Sequence, residues 1–302
     1  MTARIHAIVN PNAGGGYSSN VWPRVKNLLS KYELTYSITE KHGDAELFAK
    51  KAIEDGNEFI AVVGGDGTLN EVVQSCAEKD ITIIPVSAGT GSDFVRNFSI
   101  NREGSIQDMI DQNISVEVDL GVAESSMGKR YFANIAEAGF GAEVMKRMNS
   151  HKKKRGGGSF TSTILMELYN FKKFQCSVKS EEYEETLDAS EIIIANGLYF
   201  GGGIKAAPDA SMSDGLLTVH IIRGAGRAKL LMNLRKLKNG SYIYDREVIS
   251  FHTRKLQIDG NALVEIDGED YGRLPSSFSI KPKALKVLGI LERDLETTSG
   301  NF

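Results

Sequence analysis

Four times in the first hundred residues, a short apolar run passes through a glycine-bearing turn into apolar residues at helical spacing. "RIHAIV" leads through "NPNAGGG" into "VWPRVKNLLSK", where Val21, Val25, Leu28 and Leu29 share one face. "ELTYSITE" leads through Gly43 into "AELFAKKAIED", for which Asp44 offers an N-cap and Gly56 a stop. "FIAVV" leads through "GGDG" into "TLNEVVQSCAEK". "ITIIPVS" leads through "AGTGSD" towards a helix near Phe94–Phe98, with another near Ile106–Asp111. Strands separated by helices of this length do not close as hairpins. They form a parallel sheet covered on both faces, an α/β fold.

From Ser115 the pattern changes. "SVEVDLGV", "EIIIANG", "LLTVHII", "REVISFHTRKLQIDG" and "ALVEIDGE" read as strands, and "TSTILMELYNFKKF" and "AGRAKLLMNLRKLKNG" as helices. This is a second, mainly antiparallel β domain. The expected division is 1–121 for the α/β domain and 122–285 for the second. Residues 286–302, apolar again in "ALKVLGILERD", are expected to return to the first.

Composition excludes more than it identifies. The net charge of −3 argues against a general nucleic-acid binder. Residues 1–121 hold 10 Lys/Arg and 17 Asp/Glu, a balance of −7, which leaves +4 for the rest. Cys76 and Cys176 lack the paired spacing of a zinc site and the density of a disulfide framework, so both are expected as buried thiols in a reducing cytoplasm. No apolar run approaches the roughly 18 residues of a spanning helix, and the N-terminal run is too short for a signal peptide. The expected location is the cytoplasm, peripheral to a membrane.

Ligands of open α/β sheets bind beyond the carboxyl ends of the strands. "NPNAGGG", "GGDGT" and "SAGTGSD" all fall there. Any one of them alone is adequately explained as a tight turn needing positive φ. Three on one sheet edge point to nucleotide phosphates, drawn to free N–H groups at helix starts, with Thr68, Thr90 and Ser92 as hydroxyl donors. Neither a G-x-x-x-x-G-K-[ST] loop nor a G-x-G-x-x-G fingerprint occurs. Asp66 would repel a bare phosphate, so a cation such as Mg²⁺ is expected between them.

Together with "GGDGTLNEVV", "NPNAGGG" and "IPVSAGTGSDFVRNF", the later blocks "NGLYFGGGIKAAPDASMSDGLL" and "VEIDGE" resemble the diacylglycerol kinase catalytic domain family, most of all its soluble prokaryotic lipid kinases. The resemblance implies a Rossmann-like nucleotide domain followed by a β-sandwich domain, with ATP and Mg²⁺ as cofactors and a lipid hydroxyl as acceptor. It implies that Asn10, Pro11, Asn12, Ala13, Gly14, Thr39, Gly65, Asp66, Gly67, Thr68, Leu69, Asn70, Glu71 and Thr90 line the ATP site. By the same resemblance Asp214 is a Mg²⁺ ligand, helped by the carbonyls of Ser211 and Leu216. Asp66, Asp93 and Asp214 then form a water-linked acidic network around that metal. Ser92 stands where relatives usually carry Asn.

The resemblance also assigns the catalytic base to Asp267–Glu269. Phosphoryl transfer needs an acceptor hydroxyl relieved of its proton, and a carboxylate within hydrogen-bond reach can take it. Asp267 and Glu269 are i and i+2, on one face if the segment stays extended. Read without the resemblance, "IDGE" is an ordinary Asp-Gly turn and "PDASMSDG" an ordinary loop. "IDGN", Asp259 to Asn261, is expected as a hairpin between "KLQI" and "ALVEI". Tyr199 and Phe200 either pack or touch lipid, with packing the commoner outcome. His6, His42, His151, His220 and His252 show no ligand spacing. The acid-free stretch 223–240 and the block Lys152, Lys153, Lys154 and Arg155 suit an anionic membrane surface holding a lipid substrate. A homodimer is compatible with the resemblance. Two other readings share the glycine loops: an NAD kinase-like enzyme with a soluble acceptor, and a non-catalytic ATP-binding sensor.

Overall fold

β3 (Phe59–Gly64) is buried along its whole length, which suits the middle of a sheet with both faces covered. It pairs in parallel with β1 (Arg4–Val9) on one side and β4 (Thr82–Ser87) on the other. β1 in turn pairs in parallel with β2 (Glu33–Ile38). The computed structural model describes residues 2–89, 91–99, 106–152, 160–224 and 226–292. The chain forms two units, Met1–Leu120 with Lys281–Phe302, and Gly121–Ile280.

In the first unit, α1 (Tyr17–Leu29) joins β1 to β2, α2 (Asp44–Glu54) joins β2 to β3, and α3 (Asp66–Cys76) joins β3 to β4. α2 and α3 pack on each other. Right-handed crossovers place α1 on the opposite face, because β1 to β2 runs the other way along the sheet. The strand order therefore reverses between β1 and β3, the position where open α/β sheets bind ligands. The expected helix near Phe94–Phe98 is a single 3₁₀ turn, Val95–Asn97, followed by β5 (Phe98–Ser99), while α4 covers Ile106–Asp111 as expected. Asp44 does not cap α2. Its carboxylate accepts the N–H groups of Glu40 and Lys41 at 2.8 and 2.9 Å, in the loop before the helix, and these bonds pull it below the usual carboxylate range. Cys76 and Cys176 are buried, which pushes their thiols up to about 12 and about 11.

β6 (Ser115–Ser125) enters the second unit and pairs with β7 (Gly128–Phe132). β8 (Ile135–Gly139), α5 (Phe140–Lys152), α6 (Phe160–Asn170), β9 (Phe174–Ser180) and β10 (Glu184–Ala195) follow. After them come β11 (Leu217–Arg223), α7 (Arg227–Leu237), β12 (Val248–Thr253) and β13 (Lys255–Asp259). β14 (Leu263–Ile266) and β15 (Glu269–Arg273) form a hairpin, and β16 (Ser276–Leu288) runs back into the first unit, where Lys286 and Val287 lie parallel to β4. β17 (Ile290–Leu291) then pairs with β5. The strands from β8 to β15 pair with one another antiparallel among the described residues.

"EIIIA" is apolar without a break because β10 is covered twice. Ile192 and Ile194 enter the core shared with β13 and β14, whereas Ile193 and Ala195 enter a second core with Phe140, Val144, Leu168 and Leu230 of the helices. The expected "IDGN" hairpin is not formed. β13 pairs with β9 and β16, and β14 with β8 and β15, so Asp259–Asn261 joins strands that are not neighbours.

Candidate active site

The three glycine turns of the first unit meet one another through backbone. A Cβ on Gly14 would stand 2.7 Å from the Ala88 carbonyl, and one on Gly89 would stand 2.6 Å from the Gly65 Cα. Real Cβ atoms do not come this close, so only glycine lets the loops after β1, β3 and β4 touch. Gly14 also sits at φ +61°, a region that L side chains enter only at a cost. Asn10 ties the loops by side chain as well, its Nδ2 donating to Thr68 Oγ1 at 2.9 Å and its Oδ1 accepting the Asn12 N–H at 3.1 Å. Ala13 N–H donates to the Asn10 carbonyl, and the Pro11 carbonyl accepts from Ser19 Oγ.

Asp66, Gly67 and Thr68 form the first turn of α3, two residues earlier than the periodicity suggests. The Asp66 carboxylate accepts the Phe94 N–H at 3.3 Å, which binds the second turn to the third. Asp93 is buried, with Arg96 Nε 3.7 Å from its carboxylate. Ser92 adopts φ +54°, where Asn is at less disadvantage than most side chains, and its hydroxyl lies 2.5 Å from Ser87 Oγ. Thr39 is buried at the end of β2, its N–H held by the Val9 carbonyl. Leu69 and Asn70 are buried within α3. The Glu71 carboxylate turns to the start of α2, where it accepts the Ala45 N–H at 3.1 Å and meets His42 Nδ1 at 2.8 Å. Thr90 lies outside the described residues.

In the second unit, Asp267 and Gly268 are the two central residues of the β14–β15 hairpin, since Ile266 pairs with Glu269. Their φ angles of +47° and +88° are those of a type I′ turn, which favours Asp-Gly. The segment is thus not extended, and Asp267 and Glu269 do not share a strand face. The Asp267 carboxylate accepts three N–H groups, from Ala133 at 2.7 Å, Asn134 at 2.9 Å and Ile135 at 3.0 Å. Glu269 is exposed at the start of β15. Asp214 is exposed in an Asx turn, its Oδ1 accepting the Leu216 N–H at 3.0 Å, and Ser211 is half-buried. Among the described residues no three His, Cys, Asp or Glu side chains gather as a metal-holding group.

The periodicity misses α5 and three buried glutamates beneath it. Glu137 on β8, Glu191 on β10 and Glu265 on β14 alternate with residues of the strand core. That alternation reads as a solvent face, yet α5 packs on all three strands. Burial pushes the Glu137 carboxyl up to about 7, and burial together with neighbouring carboxyls raises Glu191 and Glu265 well above the usual range. Glu265 Oε2 accepts the Gly268 N–H at 2.6 Å, so one of these acids helps to hold the Asp267–Gly268 turn. The only cue in the sequence is a glutamate inside each of three apolar runs, "IAEAG", "SEIII" and "LVEI".

Residues 4–123 match the family described as "Diacylglycerol kinase catalytic domain", and residues 134–289 match "YegS C-terminal NAD kinase beta sandwich-like domain". The chain is 31% identical to a diacylglycerol kinase of Staphylococcus carnosus, over 97% of this chain and all of the relative. It is 27% identical to one of Mycobacterium tuberculosis, over 81% of each chain. A solved diacylglycerol kinase from Bacillus anthracis superposes with a TM-score of 0.70 at 18% identity, covering 95% of this chain and 97% of that one. This last likeness concerns the fold, an α/β domain followed by a β-sandwich-like domain. No helix among the described residues is long and apolar enough to cross a membrane.

Proposed function

Because the chain belongs to the diacylglycerol kinase family, we propose that it is a lipid kinase that moves the γ-phosphate of ATP to a hydroxyl of a diacylglycerol-like lipid. The observation that carries this reading is the fit of the glycine turns. They meet at the point where the strand order reverses, with Asp66 in the first turn of α3, and they can offer backbone N–H groups to phosphates.

Mg²⁺ commonly uses one or two carboxylates plus substrate phosphates rather than an all-protein cage. Asp66 and Asp93 suit that role in the first unit, and Asp214 with the Ser211 and Leu216 carbonyls offers the same hard oxygen donors in the second. The metal would neutralise charge on the phosphates. The two carboxyls of the "DGE" turn divide the remaining work. Asp267 is engaged by three N–H groups and positions the turn, which leaves the exposed Glu269 to take the acceptor's proton.

The lipid implies a membrane surface. α7 carries Arg227, Lys229, Arg235 and Lys236 and exposes Leu231 and Met232, although Lys229 and Lys236 also pair with Glu247 and Asp245. Lys153, Lys154 and Arg155 lie outside the described residues. A cytoplasmic enzyme that docks reversibly on anionic lipid accords with this distribution of charge.

The test is incubation of the purified protein with ATP, Mg²⁺ and either a total lipid extract or NAD, read by mass spectrometry. A new phosphorylated lipid is the expected product. Phosphorylation of NAD alone would favour a soluble acceptor, and ATP binding without turnover would favour a sensor.

A further inference from the structure

Glu269 is exposed at the start of β15, so the direction of its carboxylate is set by the backbone that carries it. That backbone is held on both sides of the turn. Asp267 N–H donates to the Ile135 carbonyl at 2.9 Å, and Gly268 N–H donates to Glu265 Oε2 at 2.6 Å. The next peptide leads directly into Glu269, and its hold comes from α5, where Asn149 Nδ2 donates to the Gly268 carbonyl at 3.0 Å. Asp-Gly closes a two-residue hairpin through its positive φ angles alone, so hairpin closure does not account for the bond from Asn149.

The helix places Asn149 for this contact. Met145 and Asn149 are four residues apart and share a face of α5. Both reach the turn, since a Cβ added at Gly268 would stand 3.5 Å from Met145 Cε. α5 is itself fixed at its start, where the Gly141 N–H donates to the buried Glu191 carboxyl at 2.5 Å. A carbonyl can only accept, so the Asn149 amide must present its nitrogen to Gly268. Lys146 Nζ lies 3.9 Å from the Asp270 carboxylate on the other side of Glu269, but both side chains are half exposed, and such a pair contributes little.

We infer that Asn149 is a positioning residue for Glu269. It holds the peptide between Gly268 and Glu269 and thereby fixes the direction in which the carboxylate leaves the turn. It acts through the backbone and not on the reacting atoms. This role rests on the lipid-kinase reading, in which Glu269 takes the acceptor's proton. A base must lie within hydrogen-bond reach of that proton, and a displacement of about 1 Å can cost about 10²-fold in rate.

The test is lipid phosphorylation by the purified full chain at saturating Mg-ATP. Wild type is compared with Asn149→Ala, with Glu269→Gln, with the two combined, and with Ser150→Ala. Ser150 Oγ donates to the Arg147 carbonyl of its own helix, so Ser150→Ala removes a neighbouring hydrogen bond that does not involve the turn. Alanine favours the helix, and thermal melts verify the fold of each variant. Asn149→Leu, of similar size and without a donor, gives a second measure of the same loss. Asn149→Ala is expected to lower kcat about tenfold or more with KM for ATP unchanged, and Ser150→Ala to alter neither. In the Glu269→Gln background, Asn149→Ala is expected to lower kcat by less than about twofold, because the group it aims is already gone. Equal losses in the two backgrounds would show that Asn149 supports the domain rather than the base and would overturn the inference. So would a wild-type kcat in Asn149→Ala. Either result leaves the kinase reading standing, whereas a wild type that phosphorylates no lipid sinks that reading and the role of Asn149 with it.

Discussion

The first unit builds its candidate site by leaving side chains out, and the second by putting charged ones in. At Gly14 and Gly89 the chain comes within a distance that no Cβ tolerates, so the shape of the turns depends on absent atoms. In the second unit, Asp267 gathers three N–H groups and Glu265 a fourth, so the shape of the turn depends on carboxyl groups that are present. The two constructions should fail differently. Adding a methyl group should disable the first, and removing a charge should disable the second.

The largest effect is expected where the second unit's acids divide between positioning and chemistry. Glu269→Gln is expected to lower kcat by about 10²–10⁴-fold, the usual share of a general base, with KM for ATP and the melting temperature unchanged. Asp267→Ala is expected to lower stability by about 3 kcal/mol or more in urea unfolding, since Ala133, Asn134 and Ile135 lose a charged acceptor. If Glu269→Gln keeps wild-type kcat while Asp267→Asn loses it at full stability, the division between the two residues is reversed.

A smaller contrast lies within one loop. Gly14→Ala meets the Ala88 carbonyl and should push apart the turns after β1 and β4, lowering kcat/KM for ATP. Gly15 has a similar φ, +67°, but open space around its missing side chain. Gly15→Ala should therefore cost only the left-handed strain of about 1–2 kcal/mol, with kcat/KM nearly intact. Equal losses in the two variants would mean that backbone conformation, and not close approach, is what the glycines supply.

What could be read from the sequence follows the same difference. A glycine that permits a turn is a local signal, so "NPNAGGG", "GGDGT" and "SAGTGSD" mark the edge of the parallel sheet without any knowledge of the fold. A carboxyl group acquires its role from whatever packs on it. Glu137, Glu191 and Glu265 look solvated until α5 is placed, and α5 itself is hidden by Gly139 and Gly141 at its start. Glu71 sits inside a loop motif, yet its carboxylate is turned to the start of α2. The two Asp-Gly pairs are the plainest case. "IDGN" and "IDGE" are alike locally, and only strand pairing, a long-range property, determines that the second closes a hairpin and the first does not.

The smallest expected effect concerns protons held beneath α5. A buried carboxyl that keeps its proton to about pH 7 differs from the unfolded chain, which releases it near the ordinary value of 4.5. Between those values the folded state binds the extra proton, so stability should fall as pH rises, by up to about 1.4 kcal/mol per pH unit for one group, and level off above about 7. Glu191 and Glu265, also raised, add to the same slope. His6 opposes it, because burial lowers its value, so its contribution rises with pH up to the ordinary 6.5 and is level above it. The carboxylates held low, such as Asp44 and Asp111, lose their stabilising effect only in more acidic solution. A difference curve separates these contributions. Urea unfolding of wild type and Glu137→Gln between about pH 5 and 7 should give a shallower decline in the variant, with the His6 contribution cancelling in the subtraction. Parallel curves would mean that Glu137 ionises as freely in the folded protein as in the unfolded chain, and that the acids beneath α5 are solvated after all.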